Sequence, residues 1–143
     1  MGNQQMLLIA LGTIIVGIAI IVGVNLFTVS YSDQVKDLAI HKVHDIGMRA
    51  NVYRKTSTEL GGGGGSYKGF NKKLNELLKE DEIIKKFKLT ENKNKITITL
   101  TLKNKADNNK TYRILGIYDQ EGLVKLRYYE ADRKKWVWLH KRD

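Results

Sequence analysis

The sequence predicts an α+β fold: one long N-terminal helix, first apolar and then amphipathic, packed on a C-terminal antiparallel sheet of four or five strands. Three observations predict it. Residues 1–32 hold no charged side chain. Apolar residues then recur at helical spacing, with no proline anywhere in the chain to interrupt them. Beyond a run of glycines, short segments alternate apolar and polar residues with period two between turn-forming residues.

The first element begins with "MLLIALGTIIVGIAIIVGVNLFTV", Met6 to Val29, where only Thr13, Asn25 and Thr28 are polar. As a helix this run reaches about 36 Å, enough for a bilayer core of about 30 Å. It is apolar on every side, unlike the helix of a water-soluble domain. A removed secretory signal fits poorly, because the run is too long and no A-x-A-like site follows it. The basic residues come after the span, so charge alone would place the C-terminal part in the cytoplasm.

Past Val29 the pattern changes without a break. Val35, Leu38, Ala39, Val43, Ile46, Ala50 and Tyr53 form one helical stripe, expected to be the helix-to-sheet contact, while Asp33, Lys36, Asp37, Lys42, Arg49 and Lys55 lie mostly off it. The simplest reading is a single helix from about residue 4 to residue 57. Residues 1–60 thus form one unit, with an apolar half at 4–29 and an amphipathic half at 30–57. Residues 61–70 form a joint, and 71–143 a basic head.

In the joint, Gly61, Gly62, Gly63, Gly64 and Gly65 precede a serine, the composition of a flexible tether. The same glycines can reverse the chain and lie flat against the helix, with Tyr67 and Phe70 as anchors. The packed form is the expected one.

The head starts with a short helix near Asn71 to Lys79, marked by Leu74, Leu77 and Leu78. Five strand-like runs follow: "IIKKFKLT", "KITITLTLK", "KTYRILGIY", "LVKLRYYE" and "WVWLHK". Ile96, Ile98, Leu100 and Leu102 share one face of their run and should cover the helical stripe, leaving Thr97, Thr99 and Thr101 on the other.

Charge is unevenly spread. Residues 33–60 carry five basic and four acidic side chains, so +9 of the net +10 belongs to Gly61 onward. Lys72, Lys73, Lys85, Lys86, Arg133, Lys134, Lys135, Lys141 and Arg142 are the candidates for an anion-binding surface facing DNA or acidic polysaccharide. Asn109 heads an Asn-Lys-Thr glycosylation triplet.

The chain has no cysteine, which excludes disulfides and thiolate metal sites. His41 and His44, with Asp45 beside them, have a spacing that can reach one metal, but surface residues on a helix already rich in charge are the expected reading. No G-x-S-x-G, P-loop or H-E-x-x-H pattern is present. No catalytic residue, metal, cofactor or small-molecule substrate is expected.

The stretch "NQQMLLIALGTIIVGIAIIVGVNLF", continuing into "VKDLAIHKVHDIGMRANVYRK", resembles the N-terminal helix of type IV pilins and pilin-like proteins. The resemblance covers about the first 60 residues by pattern and the remainder by architecture. "YRK" followed by a glycine run, a serine and an aromatic residue is similar to a feature of uncharacterised bacterial pilin-like proteins. It implies a structural subunit that rests in the inner membrane, is handled by pilus assembly machinery, and polymerises with copies of itself into an extracellular filament. Gln4, Gln5, Leu8, Ile9, Gly12, Thr13, Ile15, Val16, Gly17, Ala19, Ile20, Gly23 and Phe27 are then the filament-core surface. Thr13/Gly17 and Ala19/Gly23 are small-xxx-small pairs that let helices approach closely. Gly12 to Gly23 is the stretch expected to melt in an assembled filament.

Two features depart from the family pattern. No basic residue precedes the apolar run, and no glutamate stands at its start. Gln4 or Gln5 is a neutral substitute that needs no charge desolvated. Two rival roles follow: a non-polymerising membrane-anchored protein whose head binds DNA or acidic glycan, and a pseudopilin or minor tip subunit of a secretion or uptake system.

Overall fold

The computed structural model describes residues 2–78, 84–103, 111–130 and 134–142. Helix α1 (Gly2–Lys55) leads through a short 3-10 turn (Thr58–Leu60) to helix α2 (Phe70–Leu78). Five strands follow: β1 (Ile84–Glu91), β2 (Ile96–Lys103), β3 (Thr111–Asp119), β4 (Gly122–Glu130) and β5 (Lys135–Lys141). They form one antiparallel sheet in the order β1-β2-β3-β4-β5, each strand beside its neighbours in sequence. The fold is α+β.

At 54 residues α1 is roughly 80 Å long. It runs unbroken through Gly12, Gly17 and Gly23, so the single chain has no melted stretch there. Each glycine weakens the helix by about 1 kcal/mol relative to alanine but removes no hydrogen bond.

The core lies between the second half of α1 and one face of the sheet. Val35, Ala39, Val43, Ile46 and Ala50 are buried against β2, β3 and β4. Opposite them stand Ile96, Ile98, Leu100 and Leu102 of β2, which the register pairs with Tyr118, Gly116, Ile114 and Tyr112 of β3. Two glycines, one in each layer, bring the layers together. A Cβ on Gly47 would overlap the Tyr118 ring, and one on Gly116 would meet Val43 Cγ1 at 2.5 Å. Tyr118 therefore lies in a notch of the helix, and Val43 in a notch of the sheet.

Leu38 does not join this contact; it is 38 % exposed. It precedes Ala39 by one residue, which turns it about 100° around the helix from the middle of the buried stripe. Tyr53 sits at the end of the stripe, half-buried, with its ring 5.5 Å from that of Phe70.

The glycine run of the joint is hydrogen-bonded throughout. The N–H groups of Gly61 to Gly65 donate to the carbonyls of Thr58 (3.1 Å), Ser57 (2.9 Å), Tyr53 (2.8 Å), Thr56 (3.0 Å) and Arg54 (2.8 Å), respectively. The Tyr53 and Arg54 carbonyls belong to the last turn of α1, where the helix itself supplies no donor. The glycine run thus caps the helix. A side chain at Gly63 would overlap the Ser66 carbonyl, and Gly65 adopts φ 91°, where only glycine is unstrained.

Tyr67 pins the joint to the sheet. Its ring is fully buried, and its hydroxyl lies between the Asn51 side-chain amide and the Asp119 carbonyl, 2.7 Å from the latter. Burial holds this phenol above its usual pKa; Arg54 offsets part of the rise and Asp119 adds to it. At the start of α2, the Phe70 N–H donates to the Glu91 carboxylate of β1 at 3.2 Å. Phe70 and Leu74 are buried beneath.

Candidate functional site

Two surfaces have chemistry beyond what the fold needs. The first is the free half of α1. Gln4 and Gln5, the apolar residues from Met6 onward, Thr13, Gly17, Ala19 and Phe27 all lie open. Ile9 is 67 % and Ile20 is 61 % exposed. The two threonine hydroxyls of this half are satisfied by the helix itself: Thr13 Oγ1 donates to the Ala10 carbonyl at 2.8 Å and Thr28 Oγ1 to the Val24 carbonyl at 3.0 Å. An apolar medium would therefore meet no unpaired hydroxyl at Thr13 or Thr28. The helix is long and apolar enough to cross a membrane. A Cβ at Gly12, Gly17 or Gly23 would meet nothing within the chain, so these notches are open to a neighbour.

Near Phe27 the character changes. Its ring stacks on that of Tyr31, centroids 6.4 Å apart, and ion pairs begin a turn later. Lys36 pairs with Asp33 at 3.4 Å and Arg49 with Asp45 at 2.8 Å, on opposite flanks of the buried stripe of α1. Leu38, Met48 and Val52 are exposed on the side that carries Asp45.

The second surface is the face of the sheet turned away from α1. The register aligns Lys86, Thr101, Arg113, Tyr129 and Trp136 in one row, and Lys88, Thr99, Leu115, Arg127 and Trp138 in the next. A bulge between Ile84 and Lys86 brings Lys85 to the same side, where Lys85, Lys86, Lys88 and Arg113 border a hollow of about 400 Å³. Across the other edge, Arg127 lies 5.0 Å from the Trp136 ring and 5.3 Å from the Trp138 ring. Lys125 covers Trp138 at 5.8 Å and Arg113 covers Tyr129 at 5.9 Å.

The basic residues singled out in the sequence do not form one surface. Lys85 and Lys86 belong to the sheet face. Lys72 and Lys73 are on α2, where Lys73 lies 6.0 Å from the Tyr53 ring. Arg142 is engaged elsewhere: it pairs with Asp119 at 2.5 Å and Glu121 at 3.5 Å beside the β3–β4 turn. Together with the Glu121 N–H, Arg142 pulls the Asp119 pKa below its ordinary value against the effect of burial. Lys134 precedes β5 at φ 50°, Lys135 opens that strand, and Lys141 closes it opposite Lys125, all three exposed. Arg133 and Asn109 lie outside the described residues.

The sequence reading missed Arg113, Lys125 and Arg127, which alternate with apolar residues inside strand runs rather than standing in a basic cluster. Only the strand register collects them. It also missed the notches at Gly47 and Gly116, where a lone glycine inside a helix or strand was the available signal.

His44 Nδ1 lies 3.2 Å from the Tyr118 hydroxyl, which assigns it to the edge of the core. Among the described residues no group of three or more histidine or acidic side chains is placed to hold a metal. Comparison with protein-family models, curated proteins and solved structures gives no match for this chain.

Proposed function

We propose that the chain is a structural subunit that polymerises through α1 into an extracellular filament of the type IV pilus kind. Before assembly it rests in the inner membrane, where pilus assembly machinery engages it. One observation carries this reading. A single unbroken helix is uncovered and apolar on every side in its first half, and locked to a sheet in its second.

A simple anchor needs about 20 apolar residues and can leave its helix at the membrane surface. Here the helix continues straight into the core of the head, and the glycine joint caps its end. Tension on the head passes to the apolar rod through packed side chains rather than a tether. Lipid tails cover the rod before assembly; copies of the same rod, meeting at Gly12, Gly17 and Gly23, cover it afterwards. The basic heads then form the outer layer, where adhesion, motility or contact with DNA and other substrates takes place.

Electron microscopy and mass spectrometry of filaments sheared from the cell surface test this. A thin filament composed mainly of this chain is the expected result. Recovery of the chain only with membranes would replace the reading with a non-polymerising anchored protein.

A further inference from the structure

We infer that the open face of the sheet is a platform for single-stranded nucleic acid. This stands apart from the filament reading, because it rests on the head alone and is testable on single chains.

The first ground is composition by position. The chain contains two tryptophans, and both lie on this face, next to Tyr129. Trp138 is 49 % exposed, although a ring of that size would be hidden if it served packing alone. Lys86, Lys88, Arg113, Lys125 and Arg127 share the face. Among the described residues, the acidic groups at its margins are engaged: Glu91 accepts from the Phe70 N–H, and Asp119 and Glu121 hold Arg142. The centre of the face is therefore cationic and aromatic, complementary to a chain of phosphates carrying flat bases.

The second ground is order. The groups alternate across strands as Lys125, Trp138, Arg127, Trp136, Tyr129 and Arg113, each within 6 Å of the next. The Arg127 guanidinium is held against both indoles, and its buried Nε has no hydrogen-bond acceptor. A clamped cation and clamped rings lose little freedom on binding. Five strands at about 4.8 Å spacing make the face roughly 19 Å wide, enough for a few nucleotides. Bases of a single strand can stack on Trp138 and its neighbours while phosphates run toward Arg113, Lys88 and Lys86. A duplex hides its bases and would use the cations only.

The test uses the full chain in detergent micelles with a short fluorescein-labelled oligothymidylate. Anisotropy reports binding and tryptophan emission reports stacking, since both tryptophans are on the face. Binding that weakens steeply with salt and quenches tryptophan emission is expected. Trp138→Ala should weaken it at least fivefold, and Trp138→Phe should retain most of it. Lys86→Gln with Lys88→Gln, both at exposed positions that leave the core intact, should weaken binding and flatten the salt dependence. These two variants and the quench decide the matter if Trp138→Ala does not fold. The proposal is overturned if the oligonucleotide does not bind. It is equally overturned if duplex DNA binds as tightly without quenching, or if polygalacturonate binds and oligothymidylate does not.

Discussion

The two halves of α1 share one backbone and differ in what their side chains touch. Ile9 and Ile20 contact nothing beyond their own helix, whereas Ala39, Val43 and Ala50 are fully covered. Continuity of a helix is therefore no sign of a common source of stability. The first half is held by its own hydrogen bonds, and its surface suits a lipid or a neighbour. The second half is held by the sheet, and its small residues follow the shapes of Tyr118 and the β-strands. A change in one half should be almost invisible to the measurement that reads the other.

The strongest way to break this comparison is a charge in the free half. Ile15→Lys should abolish filaments, because a central lysine costs about 2.5–3.5 kcal/mol in an apolar helix. Calorimetric unfolding of the head should not change. Filaments that persist would show that this half is not the polymer core.

The converse experiment is Ile46→Ala. Ile46 is buried between α1 and the sheet, so truncation should destabilise the head by about 2–4 kcal/mol in denaturant unfolding. Insertion of the chain into membranes should be unaffected.

A single substitution made in both halves sharpens the contrast further. Gly17→Ala meets open space and should strengthen the helix by about 1 kcal/mol, read as slower amide exchange around residue 17. Gly47→Ala gains the same helix preference but drives a methyl group into the Tyr118 ring, and should cost the head about 1–3 kcal/mol. If both changes stabilise, the helix is not seated on Tyr118.

The smallest effect is confined to alkaline pH. Burial pushes the Tyr118 phenol from 10.0 up to about 12. A folded pKa above the unfolded one gives stability that is complete below pH 10 and is lost as pH rises toward about 12. Ultraviolet titration should show Tyr118 among the late tyrosines, and Tyr118→Phe should remove its alkaline step in the unfolding midpoint.

The elements were largely legible in the sequence because local periodicity encodes them. The helix read as about 4–57 is Gly2–Lys55, and all five alternating runs are strands. The inner face of β2 could be read directly, since period two leaves Ile96, Ile98, Leu100 and Leu102 no choice of side. Leu38 shows the limit of such reading: an apolar residue beside a stripe looks like a member of it until the helix is seated.

Composition and spacing, by themselves, determined the α+β class, the apolar rod, the amphipathic half and the basic head, because each depends on residues close in the chain. Tertiary structure alone decided the rest. The glycine run is a cap rather than a tether because the open carbonyls of Tyr53 and Arg54 lie within reach of its N–H groups. Gly47 and Gly116 matter because Tyr118 and Val43 come to rest on them. The row of cations and rings on the sheet exists because strand register sets Arg113, Arg127, Trp136 and Trp138 side by side. Register depends on turns and bulges several residues away, and local periodicity carries no record of them.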